Sequence, residues 1–185
     1  GKLDDADKVI YGSKAPGYLM GFNNTLRYKN FDFNIYFYGQ FDKLSAGSYK
    51  KTWISNNVND LRRGYNQPTS IKDIWSSANP NGTLPGYFQT ESAYGTGDYY
   101  YEKTWFIRCR NITLGYNVPA EFLNFTKYVS GLRVYASLQN FFTITSYSGD
   151  NPEVSKYGQD NLGAGYDAFS YPFAKSVLFG LNVKF

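Results

Sequence analysis

Asp150 and Glu153 stand three residues apart in the run YSGDNPE at 147–153. Two carboxylates in one loop are what glycosidic cleavage uses, one as acid and one as base or nucleophile. Here Gly149 and Pro152 frame them, and Asp-x-Pro is ordinary turn chemistry, so a structural role is expected. The chain has no His, and its single Cys109 has no recognisable base beside it, so neither triad chemistry nor an internal disulfide has a starting point. Asp4, Asp5 and Asp7 crowd together, but the alternating oxygen ligands and distant Glu of a calcium loop are missing. No enzyme, cofactor or metal centre is therefore expected, these three aspartates being the weak metal candidates. Trp53, Trp75, Tyr99, Tyr100 and Tyr101 fall in one long polar stretch. Their flat faces suit sugar rings, but packing within the loop or against a partner protein is expected ahead of that.

The net charge of +4 is scattered, with only Lys50-Lys51 and Arg62-Arg63 adjacent, so no nucleic-acid surface is expected. No run of 18 apolar residues occurs, and mean hydropathy is −0.48. A transmembrane barrel passes both tests unseen, because only alternate residues meet lipid and the loops are polar. The 20% aromatic content, with 19 Tyr and 15 Phe, fits such a barrel and fits a secreted carbohydrate-binding sandwich as well.

The final stretch, FAKSVLFGLNVKF at 173–185, separates the two. Val177, Phe179, Leu181, Val183 and Phe185 make one apolar face, with Ser176, Gly180, Asn182 and Lys184 opposite. About ten alternating residues are what a tilted strand needs to cross a bilayer, and a terminal Phe resembles the assembly signal of bacterial outer-membrane barrels. Four earlier strands are expected near 18–29, 31–41, 104–118 and 132–142. The second is the cleanest, with Phe31, Phe33, Ile35 and Phe37 against Asp32, Asn34, Tyr36 and Tyr38. Lys29-Asn30 is read as a tight turn with positive φ on the Asn. The third strand changes parity, Trp105, Ile107 and Cys109 being offset from Ile112, Leu114 and Tyr116, which a bulge near Arg110-Asn111 would reconcile. A short helix is expected at 55–63 and another at 70–75.

With Phe185 on the periplasmic side, the segments 1–16, 42–103 and 143–172 fall outside the cell and the turns at 29–30 and 119–131 inside. Long outer loops and short inner turns are the barrel pattern. The expected fold is an all-β antiparallel transmembrane barrel. Phe33, Ile35, Phe37, Val177, Phe179, Leu181 and Val183 face lipid, and Phe185 is the assembly signal. Tyr28, Phe31 and Tyr116 would anchor the inner boundary and Trp105, Phe141 and Phe142 the outer. Arg27, Arg108 and Arg133 point inward. The alternative is the secreted β-sandwich, in which the same Phe and Ile residues would be core.

GFNNTLRYKNFDFNIYFYGQ, Trp75 with Asn79, RCRNITLGYNVP, LRVYASLQNFFTIT, YSGDNPE, YDAFSYP and the closing GLNVKF, in this order, resemble the C-terminal end of SusC/RagA-type TonB-dependent outer-membrane transporters. Cys109 stands where a larger aliphatic is common, and Asn151 interrupts the usual Asp-Pro-Glu run. The resemblance implies the last five strands of a 22-stranded barrel whose plug is absent here, and a chain that is part of something longer. It implies active import of oligosaccharides or peptides in a Bacteroidota-type bacterium. It also implies a SusD-like surface lipoprotein as lid, and a TonB complex reached through a missing N-terminal part. Arg27, Arg108 and Arg133 would then pair with plug carboxylates or line the lumen.

Overall fold

The computed structural model describes residues 5–47, 66, 69–84, 101–124, 128–155, 164–168 and 170–185. Alternating sequence becomes one sheet, in which the order of neighbours is β1 (Tyr18–Tyr28), β2 (Phe31–Gly47), β3 (Tyr101–Val118), β4 (Gly131–Thr145) and β6 (Ser176–Lys184). Strands β1 and β2, β3 and β4, and β4 and β6 pair antiparallel. A two-residue β5 (Tyr166–Asp167) pairs parallel with the far end of β2 at Ala46 and Gly47. The only helices among the described residues are short 3-10 turns, at Asp5–Asp7, Thr69–Asp73 and Ala120–Leu123.

The chain divides into two compact units. One holds 1–15, 42–104 and 147–171; the other holds 16–41, 105–146 and 172–185. In the second unit, each strand's period of two gives the sheet two unlike faces. On the apolar face Phe22 opposes Phe37 and Leu26 opposes Phe33. Phe31 meets the Tyr116 ring at 4.7 Å, Tyr116 opposes Val134, and Val134 opposes Leu181. Higher up, Phe37 meets Phe142 at 6.1 Å, and Phe41 stacks on Trp105 at 6.3 Å. No second layer covers this face among the described residues: Phe179 is 83% exposed and Leu181 68%. A sandwich would bury that face under another sheet.

Several boundaries differ from the sequence expectation. Strand β2 continues past 41 to Gly47, and β3 starts at Tyr101, so both ends of the expected loop 42–103 are strand. Residues 43–47 are buried, with Ser45 Oγ and Thr104 Oγ1 2.9 Å apart, and β5 closes on the β2 end. Strand β4 runs to Thr145, while the last strand begins only at Ser176, not 173. In the β1–β2 turn the positive φ falls on Lys29 (52°) instead of Asn30. The Asn30 carbonyl accepts from the Asn117 backbone N–H at 2.8 Å, and that bond fixes which way the turn's second peptide faces. The expected helix at 70–75 is the 3-10 turn Thr69–Asp73, and that at 55–63 lies outside the described residues.

The parity change in β3 is an irregularity where expected. Cys109 pairs with Phe142 and Asn111 with Gln139, so two β4 residues oppose the single Arg110. The extra residue therefore belongs to β4, where Asn140 adopts φ of 50°.

Candidate functional site

The polar face of the second unit is built from Asp32, Arg110, Asn111, Gly115 and Arg133. Arg133 reaches from β4 across β3 to Asp32 on β2, donating from Nε at 2.9 Å and from Nη2 at 2.5 Å. This two-pronged geometry is what a guanidinium does best with a carboxylate. It is possible because residue 115 has no side chain: a Cβ there would fall on both the guanidinium and the Asp32 carboxylate. Asn117 adds a third donor to Asp32 at 3.3 Å. One strand further, the Tyr135 ring lies over Gly180 in the same manner. Asn111, Thr113 and Ser137 form a hydrogen-bonded set across β3 and β4, at 2.8–3.0 Å. Arg110 stacks on Tyr38 at 4.6 Å, and the buried Arg108 sits 4.2 Å from the Phe173 ring and 5.3 Å from Phe106. Arg108 and Arg110 thus share this face with aromatic rings, and Arg133 is engaged within the sheet itself.

In the first unit, polar contacts, two of them buried, gather around the YSGDNPE run and Asp167. Lys43 Nζ donates to the Pro152 carbonyl at 2.9 Å. Burial pushes the Lys43 ammonium below the ordinary lysine range, with the Glu153 carboxylate opposing that shift. Tyr147 Oη donates to Asp167 at 2.7 Å, the Ser170 N–H donates to the other Asp167 oxygen at 3.0 Å, and Asn151 accepts the Glu153 N–H at 3.0 Å. Glu102 accepts both the N–H and the hydroxyl of Ser148. Asp150 is exposed and Glu153 half-buried. Tyr147→Phe should remove one of the donors to buried Asp167, loosening the contact between Tyr147 and Asp167 by about 1–3 kcal/mol. Hydrogen exchange on the full-length protein should show faster exchange there and unchanged exchange in β3 and β4.

Of the aromatic candidates, Trp53, Tyr99 and Tyr100 lie outside the described residues, Tyr101 opens β3 half-buried, and Trp75 is 53% exposed. Asp4 also lies outside them, Asp5 and Asp7 form a 3-10 turn, and no cluster of three metal-ligating side chains occurs among the described residues. Phe33, Ile35, Phe37, Val177, Phe179, Leu181 and Val183 share the apolar face, and Phe185 follows the end of β6, 86% exposed. Sequence reasoning missed the Asp32–Gly115–Arg133 bridge and the buried Lys43. The legible signal for the bridge was a glycine on the polar face of β3, between an Asp strand and an Arg strand.

No known family profile matches the chain. Among curated proteins it is 35% identical, over its whole length, to TonB-dependent receptor P3 of Formosa agariphila, and 34% identical to TonB-dependent receptor SusC of Bacteroides thetaiotaomicron. The chain spans 18% and 17% of those two proteins. Among solved structures, the RagAB peptide importer in its open-open state superposes with a TM-score of 0.80, at 22% identity, over 100% of this chain and 19% of that one. Its closed-closed state gives 0.79 at 21% identity, over 99% of this chain and 19% of that one.

Proposed function

This chain belongs to the TonB-dependent receptors of the SusC/RagA type, and on that footing we propose that it is barrel wall in an outer-membrane nutrient importer. One observation carries the assignment of faces. Five neighbouring strands present a continuous uncovered apolar surface on one side and a hydrogen-bonded, arginine-rich surface on the other. Lipid takes the first face, meeting Phe33, Ile35, Phe37 and the odd-numbered residues of β6; the second lines the lumen. Phe185 lies at the periplasmic end, and the first unit is extracellular. A SusD-like lipoprotein caps the barrel, and a TonB complex supplies energy through a part of the protein outside this chain. The cargo is an oligosaccharide or a peptide, carried rather than cleaved.

The test is accumulation of radiolabelled oligosaccharide and peptide pools by cells with and without the full-length gene. Uptake of at least one pool should fall to background on deletion, and again when the proton gradient is collapsed. Uptake indifferent to both treatments would refute the assignment.

A further inference from the structure

Trp75 is displayed by a turn that is locked to itself. The Trp75 N–H donates to the Leu84 carbonyl at 2.8 Å, and the Leu84 N–H donates to Asp73 O at 3.0 Å. Asn79 ties the middle, with its side-chain amide donating to Ile74 O at 3.1 Å and Lys72 O at 3.3 Å. The Thr83 hydroxyl donates to the Asp73 carboxylate. Ile74 and Leu84 are buried on either side of Trp75 and pin the turn down, and Gly82 packs so closely that a Cβ would sit 2.5 Å from Ile74 backbone. An indole on a braced turn loses little freedom when something stacks on it, which is the requirement for binding through one flat face.

We propose that Trp75 is a stacking platform for a pyranose ring of an oligosaccharide cargo; this rests on the import reading above. Three features of the turn favour a sugar. First, a peptide added by strand pairing needs unpaired backbone groups, whereas the N–H groups of Trp75, Ser76, Asn79, Gly82 and Leu84 all donate within the turn. Second, a protein partner needs about 800 Å² a side with an aromatic cluster at its centre. Within the described part of 69–84, Trp75 is the one large apolar side chain that is exposed. Third, its surroundings are polar: Lys72, Asp73 and Ser77 are exposed beside it, and they can meet sugar hydroxyls while the ring meets the C–H face.

The experiment uses the full-length transporter with its lid, in detergent. The probes are a panel of neutral gluco-, manno-, galacto- and xylo-oligosaccharides, with a casein digest as the peptide probe, titrated by calorimetry. Trp75→Ala should weaken binding of the recognised sugar about tenfold, equivalent to about 1.4 kcal/mol. Trp75→Phe should recover part of that loss, with peptide binding and lid co-purification unchanged. A wild-type protein that binds none of the sugars, or a Trp75→Ala variant that binds them normally, overturns the proposal. Loss of lid co-purification also overturns it, assigning Trp75 to the lid instead. Cells that accumulate peptides but no sugars would leave the import reading standing and this one refuted; cells that accumulate neither would refute the import reading.

Discussion

Leu181→Arg in the full-length protein should abolish its appearance as a heat-modifiable band in the outer-membrane fraction. Leu181 lies in the middle of β6, opposite Val134, 68% exposed on the apolar face. A guanidinium there would sit in the hydrocarbon if that face meets lipid, costing about 2–4 kcal/mol at the bilayer midplane. Stability margins of folded proteins are about 5–15 kcal/mol, so one such charge consumes a large share. Ile35→Arg should act in the same direction. The informative control is one residue away. Asn182→Arg places the same charge on the polar face beside Arg133 and should still assemble. If Asn182→Arg blocked assembly and Leu181→Arg did not, the two faces would be assigned the wrong way round.

Gly115→Val should lower the unfolding temperature of the assembled protein, read as the shift from compact to extended band on heating before electrophoresis. The valine would occupy the space through which Arg133 reaches Asp32, so it both overpacks the face and breaks the bridge. Overpacking costs about 1–3 kcal/mol. The bridge itself adds about 1 kcal/mol, a discounted figure because both side chains are partly exposed. The attribution is testable by non-additivity. In an Asp32→Ala background the bridge is already gone, and Gly115→Val should then cost only its overpacking part. Equal costs in both backgrounds would show that the bridge contributes nothing.

Alternation made the strands legible because a two-sided environment forces chemistry to repeat every second residue, as in Phe31, Phe33, Ile35 and Phe37. The irregularity near Arg110 was legible for the same reason, since an offset between two apolar sets needs an extra residue somewhere. Which strand supplied it was not, because parity in β3 says nothing about Asn140 on β4. The extension of β2 through 43–47 was hidden because these residues are all buried, beside Pro152 and Gly165, and so lose their alternation. Lys43 in particular reads as a solvated charge until the Pro152 carbonyl is placed beside it. For Arg133 the sequence left plug and lumen open; its actual partner, Asp32, lies two strands away, at a distance that no local pattern encodes. The aromatic candidates were a matter of residue type alone, and it is the hydrogen-bonded turn around Trp75 that singles one of them out.

The Asp32–Arg133 bridge also has a mechanical consequence. Peeling two strands apart breaks the ladder bonds one at a time, whereas sliding one along the other must break many of them together. Asp32 and Arg133 tie β2 to β4, two strands that are not neighbours in the sheet, over the back of β3. Any slip of β3 that keeps its faces must drag Gly115 out from under the guanidinium and bring Thr113 or Asn117, its neighbours on the same face, toward it. Under a load applied along the strands, the three are therefore coupled at the bridge and yield there together.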